Sequence, residues 1–269
     1  MASSTSRNSN QFSRSEQSFV AAEPRLDGRN RDDFRLLQLT EGCLPQSHGS
    51  CRWKNGICSV KASIVQPAAR FPTRGVLTIH VDGHLMRSQY DSLQTKLQQL
   101  ISLPNYGDEA ENLVIQEGAY VWQLNVDVWL LQLDTVDAIS LAIRSAVQNT
   151  VLPRIHAEDL SIDTALPPIS LAKLYTPIVF TITCISASLI LLDATELEMS
   201  NCWARVHIAL DEQVQVCGMR WSSTATLSTQ TIADCIQLAV QAYSKRLASI
   251  VVSTTTSDAL SMAGSIILQ

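Results

Sequence analysis

The chain has 269 residues, 46% of them hydrophobic, and a formal net charge of −5, enough apolar content for one large core or two small ones. The acidic balance excludes a surface dominated by polyanion binding, though it leaves room for a local basic patch. Seven cysteines, an odd number without a C-x-x-C pair, point to reduced thiols packed in the core of an intracellular protein, not to a disulfide framework.

Residues 1–24 are rich in Ser, Asn and Gln, lack an apolar signal core, and read as a disordered tail. Arg25-Leu26-Asp27-Gly28-Arg29 follows and runs on to Arg35, eleven residues with four arginines and three aspartates. Asp before Gly is a turn signal, because Asp accepts local backbone hydrogen bonds and Gly tolerates positive φ. The stretch reads either as a solvated charged loop or as a tie between the first segment and the body of the domain. A partly alternating run, Phe34 to Thr40, predicts a strand. Lys54-Asn55-Gly56 lies between Ser50–Trp53 and Ile57–Ile64, and Asn-Gly between strand-like runs predicts an antiparallel hairpin. Val76 to Val81, ended by Asp82-Gly83, extends this to a meander over the first eighty residues.

Tyr90, Leu93, Leu97, Leu100 and Ile101 recur at helical spacing, which predicts a helix from Arg87 to Ser102, stopped by Pro104. Strands follow at Val114-Ile115 and Val121 to Gln132, the latter with Trp122, Leu124, Val126 and Val128 on one face. Asp137 to Asn149 predicts a second helix, almost wholly apolar on one side, with Pro153 beyond its end. His156 to Lys173 shows no period and reads as a connector. Strands resume at Ile178–Cys184, Leu189–Asp193, Ala204–Leu210 and Val214–Trp221. The run Ile178 to Leu192 is interrupted by Thr181, Thr183, Ser186 and Ser188, so it reads as two buried strands and not as a membrane helix. A third helix is expected from Thr229 to Val251 behind an N-cap at Ser228, its apolar residues including Ile232, Ile236, Ala239, Tyr243 and Leu247. Together these predict an α+β fold with mixed and antiparallel sheets and packed helices, in one domain over 25–252, followed by a loose tail at 253–269.

Several of these runs match one family. Arg25, Asp27, Gly28 and Arg29 form an R-x-D-G-R entrance; Gly49-Ser50-Cys51 resembles a G-S-A/C strand; Pro72-Thr73-Arg74-Gly75-Val76-Leu77 is similar to a P-x-x-G-x-L strand start. Trp122 to Val128 reads W-x-L-x-V-D-V, Asp137 to Ala142 and Gln148 to Arg154 read D-A-I-S-x-A and N-T-x-x-P-R, and Leu192 to Glu198 resembles L-D-P/A-T-x-x-E. From about Arg25 to Val251 the chain resembles the RNase PH family, in the version of the non-catalytic partner subunit of archaeal exosomes and its eukaryotic descendants. The resemblance implies an RNase PH-type fold in two pseudo-similar halves and a place in the exosome ring. The implied partners are other RNase PH-like ring subunits, RNA-binding cap subunits, an associated nuclease and the RNA that threads the channel, with no membrane. The implied location is the nucleus and nucleolus, and also the cytoplasm.

Active members hold phosphate on a Gly-Gly-Ser/Thr-Arg loop at a helix start. Here that position reads Leu133-Asp134-Thr135-Val136-Asp137, with neither Gly nor Arg and with two added carboxylates. Like charges beside a bound phosphate cost on the order of 1 kcal/mol each even when well screened; Asp134 and Asp137 read instead as acids favoured by the helix dipole. The family's catalytic aspartate positions fall near Leu197 and Trp203. The expected role is therefore a catalytically inactive structural subunit that supports 3'–5' RNA processing, with no catalytic residue, cofactor or metal. The alternative is a phosphate-dependent 3'–5' exoribonuclease with a rearranged site built on Asp193, Glu196 or Glu198. RNA phosphates would meet Arg70, Arg74, Arg87 and Lys96, which also read as ordinary solvated cations. His80 and His84 are four apart but cross a turn, which disfavours a helical metal pair. Trp53, Trp122, Trp129, Trp203 and Trp221 lie on predicted strands and read as core or subunit-interface anchors.

Overall fold

The computed structural model describes residues 25–67, 74–84, 87–101, 112–132, 135–186, 189–224 and 226–254. The first half builds Leu37–Glu41 (β1), Gly49–Trp53 (β2), Gly56–Val65 (β3), Val76–Gly83 (β4), Arg87–Ile101 (α1), Val114–Gln116 (β5), Tyr120–Leu130 (β6) and Val136–Gln148 (α2). Two short ladders follow: Val151–Leu152 (β7) pairs with Ile169–Ser170 (β10), and Arg154–Ile155 (β8) pairs with Ile162–Asp163 (β9). The expected connector thus carries its own small strands. The second half builds Ile178–Cys184 (β11), Ile190–Leu192 (β12), Glu196–Ser200 (α3), Ala204–Leu210 (β13), Val216–Ser223 (β14), Thr229–Ala248 (α4) and Ile250–Thr254 (β15).

The first sheet runs β15-β1-β2-β3-β6-β4, with β5 also paired to β6. The Asn55-Gly56 hairpin forms as expected, with Trp53 opposite Gly56. The meander stops at β3, however: β4 pairs parallel with β6, Val76 opposite Gln123 through Gly83 opposite Leu130. A parallel pair needs a crossover, and α1 provides it. Gln94 and Gln98 of α1 accept hydrogen bonds from the Val81 and Ile79 amides at 3.1 and 2.7 Å. These side chains satisfy edge groups of β4 that would otherwise lack partners. The α1 stripe is buried as predicted, at Tyr90, Leu93, Leu97, Leu100 and Ile101.

The second sheet runs β12-β11-β13-β14 and is antiparallel. One face, with Val206, Ile208 and Leu210, packs in a core cluster with Cys235, Ala239, Ala242 and Tyr243 of α4. The other face carries Ala209 and Val179 into the first core beside Leu97, Ile139 and Ile143. The helices α1 and α2 therefore lie between the sheets, and α2 is buried almost all round, as a helix apolar on every side must be. Each fully buried Leu, Ile or Val there contributes roughly 1.5–3 kcal/mol of transfer free energy.

Two boundaries differ from expectation at the end of the chain. The last helix stops at Ala248 and Val251 belongs to β15, whose Leu37↔Ile250 to Glu41↔Thr254 register is parallel to β1. The predicted tail at 253–269 thus loses Ser253 and Thr254 to a sheet. The buried face of α4 is also rotated: Thr231, Cys235, Ala239, Ala242, Tyr243 and Arg246 are buried, while Leu247 is 41% exposed. Among the described residues no helix is long and apolar enough to cross a membrane.

Candidate functional site

The charged entrance is a tie and not a solvated loop. The Gly28 amide donates to the Arg25 carbonyl at 2.8 Å with Gly28 at φ +79°, which closes the turn the Asp-Gly pair predicts. Asp27 accepts from Arg29 Nε at 2.8 Å and Nη2 at 2.6 Å. The segment then crosses to the second half. Arg25 donates Nε and Nη2 to the two oxygens of Glu198 at 2.8 and 2.5 Å, and reaches the carbonyls of Leu192 and Asp193 at 3.0 Å each. Glu198 is placed by the short helix α3, which sequence reasoning missed. Its signal was present: Thr195 and Glu198 form a capping box, the Thr195 side chain accepting from the Glu198 amide and Glu198 accepting from the Thr195 amide.

Asp193 is the hub of this tie. It follows β12 directly, with φ +45°, and is buried. Arg29 Nη1 donates to Oδ2 at 3.0 Å, the Arg35 amide donates to Oδ2 at 2.6 Å, and Arg35 Nη2 donates to Oδ1 at 2.6 Å. Burial works against its ionisation, but the hydrogen bonds from Arg35 and the charges of Arg35 and Arg246 outweigh it and hold the carboxyl below the usual range. Glu198 is likewise held down: burial opposes ionisation, and hydrogen bonds from Arg25 and Thr195 overcome it.

Beside Asp193 opens a cleft of about 470 Å³, lined by Arg35, Arg52, Lys54 and Arg246 together with Thr135 at the start of α2. Four cations face one acid, so the cleft carries net positive charge. Thr135 caps α2, accepting from the Ala138 amide at 3.4 Å. Asp137 does not sit at this helix start merely as a dipole-favoured acid. Its Oδ2 accepts from the Thr181 amide at 2.9 Å, and Ser140 Oγ accepts from the Val179 amide at 3.1 Å, so α2 seals the open edge of β11. Burial pushes the Asp137 carboxyl up, against the pull of Arg246 and the Thr181 hydrogen bond. Residues 133 and 134, which include Asp134 of the loop position, lie outside the described residues.

The other sequence candidates fare differently. Arg70 lies outside the described residues, Arg74 precedes β4, and exposed Arg87 follows it as the first residue of α1. An eight-residue strand separates those two by roughly 26 Å, so proximity in sequence does not become a patch. Lys96 lies midway along α1, half-buried. Leu197 and Trp203, near which the resemblance puts the aspartates of active members, are half exposed and partly buried respectively. Glu196 begins α3. His84 stacks edge-on to Trp129 at 5.8 Å, and among the described residues no group of His, Cys, Asp and Glu is arranged to hold a metal ion. Trp53 and Trp122 are buried, whereas Trp129 and Trp221 are 44% and 51% exposed.

Comparison with known proteins agrees with this fold. Residues 175–242 match the second domain of the 3' exoribonuclease family. A solved chain of an archaeal exosome core superposes with a TM-score of 0.68 at 25% identity, over 86% of this chain and 94% of that one. The chain is RNase PH-like. This RNase PH-like chain is 25% identical over 238 residues to the exosome complex component Rrp42 of Thermoplasma acidophilum, covering 82% of this chain and 88% of that protein. It is 24% identical over 240 residues to the exosome complex component RRP45 of Danio rerio, covering 82% and 60% respectively. Its RNase PH-type fold is α+β in two halves, each a sheet with its helices.

Proposed function

We propose that the chain is a catalytically inactive subunit of an exosome ring, supporting 3'–5' RNA degradation and processing by helping to form the channel through which RNA passes. The observation that carries this is the state of Asp193. It is the one acid among the described residues lining the cleft, and both its oxygens are taken by Arg29 and Arg35. Arg35 Nε also donates to Oδ1 at 3.2 Å and to Oδ2 at 3.1 Å, so the roughly four lone-pair directions of this carboxylate are met by donors and it is ill placed to hold a metal or take a reacting proton. Glu198, the other buried acid of the α3 region, is occupied by Arg25 and Thr195. The relatives named exosome components support the ring, and half-exposed Trp129 and Trp221 suit the two unlike faces a closed ring of different subunits requires. On the same reading its partners are RNase PH-like neighbours, cap subunits, a nuclease and RNA, in the nucleus, nucleolus and cytoplasm.

The test is to purify the full chain alone and with its ring neighbours and to measure shortening of a labelled RNA with and without inorganic phosphate. No shortening by the chain alone is expected. Phosphate-dependent trimming by the chain alone, abolished in a folded Asp193→Asn variant, overturns the proposal in favour of a rearranged exoribonuclease.

A further inference from the structure

A second basic cluster lies away from the cleft, where α1 crosses the second sheet. Opposite residues of an antiparallel pair share a face. The registers Thr183↔Arg205, Thr181↔His207, His207↔Arg220 and Arg205↔Ser222 therefore gather Arg205, His207 and Arg220 on the face of the sheet turned toward the helices. α1 packs on β14 and β13 and so brings Lys96 to them there: Arg205 and Arg220 both act on its ammonium, and all three cations act on His207. Two residues come from one half of the molecule and one from the other. Arg205 is exposed, while Lys96 and Arg220 are half-buried, so the group opens to solvent on one side.

The charge in this cluster is not balanced from within. No ion pair among the described residues involves Lys96, Arg205 or Arg220. Burial first, and then the neighbouring cations, push the Lys96 ammonium down; the same causes in the same order bring His207 down to about 4. No carboxylate opposes either shift. His207 is therefore neutral at pH 7, held through Nδ1 by Thr181 Oγ1 at 2.9 Å. On the same face Thr183, fully buried, has an Oγ1 with no hydrogen-bond partner. Ordinarily a partly buried cation is paired with an acid; three converging without one are what a bound oxyanion would offset.

We propose that Lys96, Arg205 and Arg220 form a phosphate-binding site at the junction of the two halves, with His207 as its floor. The guanidinium groups supply paired N–H donors suited to phosphate oxygens and the lysine a point charge. The chemistry is that of an oxyanion carrying more than one charge, either a free polyphosphate or the phosphodiester backbone of an RNA strand. The site does not depend on ring membership.

The test uses the full chain at several fixed ionic strengths, with sodium tripolyphosphate and a ten-residue oligouridylate as separate probes. The readout is the His207 imidazole resonance, assigned by its loss in His207→Asn. A bound anion must raise the pH at which His207 titrates, from about 4 toward the ordinary 6.5. Arg205→Gln and Arg220→Gln should each weaken binding by about tenfold and lower the salt slope by about one, while Arg154→Gln, on β8 and not among the groups acting on Lys96 or His207, changes neither. Stronger binding of the oligouridylate identifies RNA as the source, and response to tripolyphosphate alone identifies a free polyphosphate. If neither probe moves the His207 titration, or if the folded Arg205→Gln/Arg220→Gln double variant binds like the parent, the site is disproved.

Discussion

Replacing Glu198 by alanine removes the carboxylate that Arg25 grips with two hydrogen bonds, and the structure fixes what is left behind. The Arg25 side chain is 1% exposed and that of Glu198 7% exposed, so solvent does not replace the lost partner. Two donor contacts to the Leu192 and Asp193 carbonyls remain, but they do not neutralise the charge. Breaking a buried pair on one side costs about 3–5 kcal/mol, mainly because an uncompensated charge stays buried. With a urea m-value of about 2 kcal/mol/M, the midpoint should fall by roughly 1.5–2.5 M, followed by the fluorescence of buried Trp53 and Trp122. A double replacement, Arg25→Met with Glu198→Leu, should recover most of that loss, since apolar residues of similar volume often match a buried ion pair. A Glu198→Ala loss below about 1 kcal/mol, the range of exposed pairs, would refute the claim that this tie is a buried structural element.

Acid titration should separate two groups. Because the folded state holds His207 at about 4 against 6.5 when free, the unfolded chain binds the extra proton between those values, and stability should drop by on the order of 3 kcal/mol as pH falls through that window; His207→Asn should flatten it. Asp193 and Glu198 have depressed values, so the stability they supply is fully present above about pH 5 and is lost progressively below it, which calorimetry at pH 3 should detect as a lowered melting temperature. Gly49→Ala should cost about 1–3 kcal/mol in urea unfolding, because a Cβ there collides with Thr150 Oγ1 and the Ala146 carbonyl on α2. Trp53→Ala should cost about 3–5 kcal/mol, whereas Trp221→Ala, at a position 51% exposed, should cost less than half as much in the isolated chain and act on assembly with ring neighbours instead.

Local features were legible from the residues alone. Asn55-Gly56 specifies its hairpin through backbone preference, and the Tyr90-to-Ile101 stripe specifies α1 through periodicity, so both needed no knowledge of the rest of the chain. Pairing across long separations was not legible: nothing in Val76–Val81 says that its neighbour is β6 and not β3, because a buried strand presents apolar side chains either way. β15 was hidden because Ile250 and Val251 read as the end of the last helix and Ser253 as the start of a loose tail, while its partner β1 lies 213 residues away. The cleft illustrates the same limit. Arg35 belonged to the charged entrance, but Arg52, Lys54 and Arg246 come from a strand, a turn and the last helix, and only folding assembles them. Arg205 and Arg220 were no nearer to reach. Two strands joined across Asp211-Glu212-Gln213 would pair Leu210 with Val214 and His207 with Cys217, whereas β14 begins at Val216 and the ladder shifts register at Ala209/Leu210, which is what sets Arg220 opposite His207 and diagonal to Arg205.

The parallel pairing of β15 with β1 has a consequence for biosynthesis. The first sheet gains its outer strand, and β1 its second neighbour, only after residues 250–254 have been made; Arg25 likewise waits for Glu198, 173 residues downstream. A nascent chain therefore carries β1 with one unpaired edge through most of its translation, a state that invites mispairing. Contacts of such long range also slow the search for the native topology. The two halves are stitched at both ends of the chain, and a release short of Ile250 would leave a molecule with most of its core but an open seam.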